Sequence, residues 1–199
     1  MKRLFIAVPI REGTRTQIVR GIFSDPFIKK LPVLWTAYQN LHLTLQFLGD
    51  VEEKRIPELK KIMDTLSFPE KADDLMFTGL GTFPEKAAPK ILWLGIADHK
   101  PLRRLQRELT DLLTRAGFEA DRKAFKPHLT LGRVKNEAQI PAAALDRLRE
   151  LIAGQQFSPS PIDRITLFES RLQPAGPVYS AVYEKGFRER SSGVHTNPE

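Results

Sequence analysis

His42 and His128 each open the same tetrapeptide, His-Leu-Thr-Leu, in a chain with only four histidines. Imidazole titrates near neutral pH, so a pair can hold opposite protonation states and serve as acid and base in one step. Thr44 and Thr130 each follow their histidine by two residues, and a hydroxyl can donate to an anionic oxygen. Polar and apolar residues alternate in both tetrapeptides, which is a strand pattern. His42 and Thr44 then share one face and Leu43 and Leu45 the other; His128 and Thr130 are set against Leu129 and Leu131 in the same way. One such strand reads as an amphipathic surface strand. Two copies at matched positions point to a cleft onto which both polar faces open.

Two imidazoles and two hydroxyls suit a phosphoryl centre. One imidazole activates water, the other protonates the leaving oxygen, and the hydroxyls stabilise charge on the non-bridging oxygens. A strained cyclic phosphate matches this set. Cysteine is absent, which removes thiolate nucleophiles, disulfides and zinc–thiolate sites. There is no Gly-x-Ser-x-Gly elbow, no Gly-x-x-x-x-Gly-Lys phosphate loop and no metal-ligand cluster near either tetrapeptide. The expectation is therefore no cofactor and no metal. A net charge of +7 and a pI near 9.7 favour a polyanionic partner such as nucleic acid. The apolar run from Leu4 to Pro9 is too short for a signal-peptide core, and no stretch reaches membrane-spanning length. A cytoplasmic protein is expected.

The elements that must position these residues repeat. The strand-like runs Phe5–Val8 and Ile91–Leu94, like the two histidines, are offset by 86 residues. A helix is expected over about Thr14 to Phe23 in the first copy and over Pro101 to Ala116 in the second, where Leu102, Leu105, Leu109 and Leu113 recur at helical spacing. Downstream, Pro57 to Leu66 and Pro141 to Ile152 read as helices, followed by strands over about Asp74 to Leu80 and Arg164 to Phe168. A last strand, Val178 to Tyr183, completes one of the sheets. This predicts an α+β or α/β duplication over residues 1–187, with halves of about 3–86 and 89–187 and a polar tail over 188–199.

At the segments Asn40–Gly49 and Phe125–Arg133 the chain resembles the 2H phosphoesterase superfamily, which is defined by two His-x-Thr/Ser-x motifs. It is similar in particular to the LigT-like RNA 2′,3′-cyclic phosphodiesterases, also called the ThpR family. Phe5–Val8, Gly81–Pro84 and Leu167–Ser170 extend the likeness to about residues 3–187. The resemblance implies a single bilobal α+β domain, with two antiparallel sheets and outer helices around a central cleft. It implies hydrolysis of a terminal 2′,3′-cyclic phosphate to a 2′-phosphomonoester, with His42 as proton donor and His128 as the base that activates water. It also implies reversible 2′–5′ joining of RNA, such as tRNA halves, without ATP. One departure is visible: members often carry a basic residue before the tryptophan ahead of the first motif, and here Leu34 precedes Trp35.

Outside the tetrapeptides, Arg133 is read as a group that holds a phosphate or stacks on a base. Lys126, two residues before His128, shares that histidine's face if the strand is regular across Pro127, and Phe125 stacks on a base or enters the core. Phe47 is expected in the core before a Leu-Gly turn, with Asp50 as a turn residue. Trp35 and Tyr38 are read as packing residues, His99 as a cap of the following helix, and Arg103, Arg104 and Arg107 as a solvated helix face. A monomer suffices, because one chain supplies both histidines. Two alternatives remain open at this level: an RNA-binding protein without turnover, and a phosphodiesterase for small cyclic nucleotides or ADP-ribose cyclic phosphates.

Overall fold

A computed structural model describes residues 1–69, 74–85, 88–119, 124–135, 138–173 and 176–187. The expected tail from 188 onward lies outside them. Strand β1 spans Lys2–Pro9, α1 Glu12–Ile18, β2 Val33–Trp35, β3 His42–Val51 and α2 Ile56–Thr65. Then follow β4 Phe77–Phe83, β5 Ile91–Ile96, α3 Lys100–Arg115, β6 His128–Val134, α4 Ala142–Ala153, β7 Arg164–Gln173 and β8 Gly176–Gly186. Every strand pairing is antiparallel. The fold is α+β.

The strands run β4-β5-β6-β3-β1-β7-β8, with β2 added to β6. In place of two separate sheets there is one continuous ladder, but its middle is thin: β3 and β6 pair only at Leu43 and Leu129. On either side stand two blocks, β2-β6-β5-β4 and β3-β1-β7-β8. The closing strand of each copy crosses over. β4 pairs with β5 of the second copy, and β7 pairs with β1 of the first.

Helices supply the apolar cover. Leu102, Leu105, Leu109 and Leu113 of α3 are buried with Leu43, Leu45, Leu129 and Leu131 in one core cluster. Pro101 stands in the first turn of α3, the Leu102 amide donates to His99 Nδ1 at 3.1 Å, and Gly117 follows the helix at φ +73°. The first helix is shorter than expected. It ends at Ile18 and continues as a π-helical turn over Val19–Phe23. There Gly21 lies so close to Gln155 that a Cβ would stand 2.4 Å from its Oε1. Strand β4 begins at Phe77 rather than near Asp74, because Leu75 instead bridges to Ser160.

Candidate active site

The two tetrapeptides sit at the starts of β3 and β6, side by side through the Leu43–Leu129 pair. Their leucines are buried, while His42, Thr44, His128 and Thr130 are partly exposed on the opposite face. The equivalence extends to the hydrogen bonds. His42 Nδ1 lies 2.6 Å from the Asn40 carbonyl and His128 Nδ1 lies 2.7 Å from the Lys126 carbonyl. A carbonyl only accepts, so each Nδ1 carries a proton and each Nε2 is the remaining basic nitrogen. His42 Nε2 lies 3.0 Å from Thr44 Oγ, whose hydroxyl donates to it while the ring is neutral.

Both histidines rest on aromatic rings. Phe5 and Tyr179 stand 4.9 and 5.3 Å from the His42 ring, and Phe83 and Trp93 stand 5.1 and 5.8 Å from that of His128. Gly81 makes room for Trp93, since a Cβ there would fall 2.1 Å from the indole. These surroundings set the protonation. Burial pulls His42 down to about 4, partly opposed by the Asn40 carbonyl and reinforced by the charge of His128. His128 is lowered mainly by burial, with Lys126 and Arg133 adding like-charge repulsion against its own bond to the Lys126 carbonyl. Because the charge of His128 reaches His42 across the seam, the two rings share one electrostatic space.

A bulge in each strand decides what else faces this space. Ala7 pairs with Thr44 but Ile6 with Gln46, so Leu45 is the extra residue; Trp93 pairs with Thr130 but Leu92 with Gly132, so Leu131 is its counterpart. From this bulge to a second one in β3, where Leu48 is the extra residue, the alternation of faces is reversed. Gln46 becomes 3% exposed and accepts from the Thr110 hydroxyl at 3.1 Å. Phe47, expected in the core, is instead 56% exposed and packs on Phe5. Asp50 is no turn residue either: β3 continues past Gly49 at φ +66°, and Asp50 pairs with Arg3. Arg133 is the second-copy counterpart of Phe47. It is exposed opposite Ile91, and its charge reaches His128 and Tyr179.

Thr44, Phe47, Phe83, Phe125, Lys126 and His128 line a cavity of about 660 Å³ beside the histidines. Lys126 forms an ion pair with Glu85 and lies 4.8 Å from the Trp93 ring centroid. Phe125 is partly buried against the core. Arg103 is more than a solvated residue: it binds Asp98 at 2.6 Å and the Phe125 carbonyl at 3.1 Å, which ties the loop before His128 to α3. Trp35 packs on Phe23, and Tyr38 lies under Arg15. Among the described residues, no three His, Asp or Glu side chains converge as a metal site.

The model of the 2′-5′ RNA ligase superfamily matches residues 35–173, a span that contains both tetrapeptides. The chain belongs to this superfamily. An RNA 2′,3′-cyclic phosphodiesterase of Thermotoga maritima is 34% identical, over 93% of this chain and 95% of its own length. One of Archaeoglobus fulgidus is 33% identical, over 89% and 96%. Among solved structures, a Thermus thermophilus protein is similar with a TM-score of 0.75 and 25% identity, covering 94% of this chain and 99% of that one. E. coli LigT complexed with 3′-AMP shares the fold at a TM-score of 0.71 and 22% identity, over 94% and 99%.

In this superfamily member, the rings that support the histidines are site residues that sequence reasoning misses. Phe5 and Trp93 carry a partial signal, because they stand in the two repeated strand-like runs, and Phe83 carries one through the segment Gly81–Pro84. Tyr179 carries none, since β8 has no counterpart in the first copy. A measurable consequence concerns Lys126. Its charge disfavours protonation of His128, so Lys126→Gln is expected to raise the His128 pKa, read by NMR titration of the ring. An unchanged titration would remove Lys126 from the electrostatics of the site.

Proposed function

We propose that the chain hydrolyses RNA 2′,3′-cyclic phosphate ends to 2′-phosphomonoesters by acid–base catalysis between His42 and His128. The observation that carries this reading is the matched pair of imidazoles, each fixed through Nδ1 to the carbonyl two residues earlier, with Nε2 left for chemistry. His128 Nε2 takes a proton from water as that oxygen attacks phosphorus. The bond from phosphorus to O3′ breaks, and His42 Nε2 gives its proton to O3′. Phosphate remains on O2′. Thr44 and Thr130 donate to the non-bridging oxygens. Arg133, Lys126 and Phe125 bind the rest of the terminal nucleotide, with Lys126 released from Glu85. A 5′-hydroxyl in place of water would yield a 2′–5′ bond by the same route. The names of the Thermotoga and Archaeoglobus relatives support this substrate.

His42 as donor must be charged, yet the free protein holds its pKa down to about 4. An anionic phosphate favours the imidazolium, and by engaging the Thr44 hydroxyl it frees Nε2 to carry the proton. Two pH profiles follow. The kcat/KM profile reports the free protein, so it should be bell-shaped with its acid limb near 4 and its alkaline limb below 6.5. The kcat profile reports the complex and should lie at higher pH. Coincident profiles would refute substrate-induced protonation of His42. The deciding experiment is product analysis on a short RNA ending in a 2′,3′-cyclic phosphate, in EDTA. A 2′-phosphate product that disappears in His128→Ala is expected; a 3′-phosphate product, or turnover that needs an added divalent ion, would overturn the reading.

A further inference from the structure

We infer that the groove beyond Arg133, floored by Lys90 and Lys135, holds the RNA strand on the 5′ side of the terminal nucleotide. This rests on the proposed function and extends it from a cyclic phosphate to a polymer that carries one. A cavity of about 960 Å³ lies at the outer ends of β5, β6 and β2, lined by Lys90, Arg133, Lys135, Leu34, Pro89 and Gln139 among others. Ile91 lines both this cavity and the one beside His128, so the two adjoin. Arg133 stands at the junction, paired across the ladder with Ile91. A strand whose cyclic end sits between the histidines can therefore continue past Arg133 into the groove.

Among the described residues, the charge of the groove has one sign. Its lining holds three cations and no carboxylate, and no ion pair engages Lys90, Arg133 or Lys135 among the described residues. All three are exposed. Leu34, 50% exposed at the same place, offers an apolar surface to a base. The fold does not require these cations, because the repeat provides an internal control. At the 86-residue offset, Lys90, Arg133 and Lys135 correspond to Leu4, Phe47 and Gly49, and Ala138 and Gln139 correspond to Glu52 and Glu53. Lys2 and Arg3 stand at the counterparts of Ala88 and Pro89, but Lys2 is paired with Glu169 at 3.2 Å. Among the described residues, the same architecture is thus basic at one end of the cleft and mixed in sign at the other. A phosphodiester backbone is a uniform row of negative charges and fits the basic end.

The test compares cytidine 2′,3′-cyclic phosphate with a fluorescent RNA hexamer ending in a 2′,3′-cyclic phosphate, using the double variant Lys90→Gln/Lys135→Gln. KM for the hexamer should rise by roughly 2- to 30-fold, the range for two exposed ion pairs. The slope of log affinity against log salt should fall by about 0.7 per lysine removed. KM for the mononucleotide should not change. Arg104→Gln/Arg107→Gln, which removes equal charge from the exposed face of α3, should alter neither. Equal losses on both substrates, no loss on the hexamer, or an equal effect of the α3 pair would overturn the groove. Should the wild type turn over neither substrate, the proposed function fails by itself, and hexamer binding by fluorescence anisotropy in the same variants still decides the groove.

Discussion

His128→Ala lowers kcat on a nucleoside 2′,3′-cyclic phosphate by roughly 10²- to 10⁴-fold, the usual share of one well-placed acid or base. The same loss is expected for His42→Ala, and the double variant should be little worse than either single one, because the two groups act in one transition state. The folded state should survive. His128 is partly exposed on the cleft face, and its removal leaves Leu129 and Leu131 in the core. Its ring contacts with Phe83 and Trp93 are lost, which costs about 0.5–1.5 kcal/mol each at most. The measurement is kcat beside a thermal melt. A drop of less than tenfold from either variant, with the melt unchanged, would mean that proton transfer is not what these imidazoles do.

Leu43→Ala carries the largest expected effect on stability together with an effect on turnover. Leu43 is fully buried, and with Leu129 it makes the one described ladder pair between β3 and β6. Truncating a buried leucine costs about 2–5 kcal/mol, through lost transfer energy and the cavity left behind. At this position the cavity opens at the seam, one residue from His42 and across from the residue after His128. The two imidazoles then lose their fixed separation, and misplacement by about 1 Å can cost on the order of 10²-fold in rate. Leu109→Ala in α3 is the control. It should lose similar stability, since Leu109 is also fully buried, but leave kcat intact below the melting transition. Denaturant titration and kcat on both variants separate the two effects. Equal kcat in both would show that the seam does not set the spacing.

The duplicated tetrapeptide makes the chemistry readable in one dimension. Two copies at an 86-residue offset, each alternating polar and apolar, are enough to pick His42, Thr44, His128 and Thr130 and to turn them to one side of their strands. The ladder registers repeat that offset: Phe5 pairs with Phe47 as Ile91 pairs with Arg133, and Val8 with Leu43 as Leu94 with Leu129. Alternation is a local property of the backbone, so it survives in the sequence.

The tertiary structure alone decided the rest. A bulge exists only relative to a partner strand, so the extra residues Leu45 and Leu131 leave no mark on a period-two pattern. For that reason Phe47 reads as core in the sequence, although it lines the cavity beside the histidines. Likewise, the pairing of β4 with β5 and of β7 with β1 sets which rings reach which histidine. That choice depends on contacts between residues far apart in the chain. The sequence therefore named the candidate reacting groups, while pairing across the sheet determined their spacing, the rings around them and the basic groove beside them.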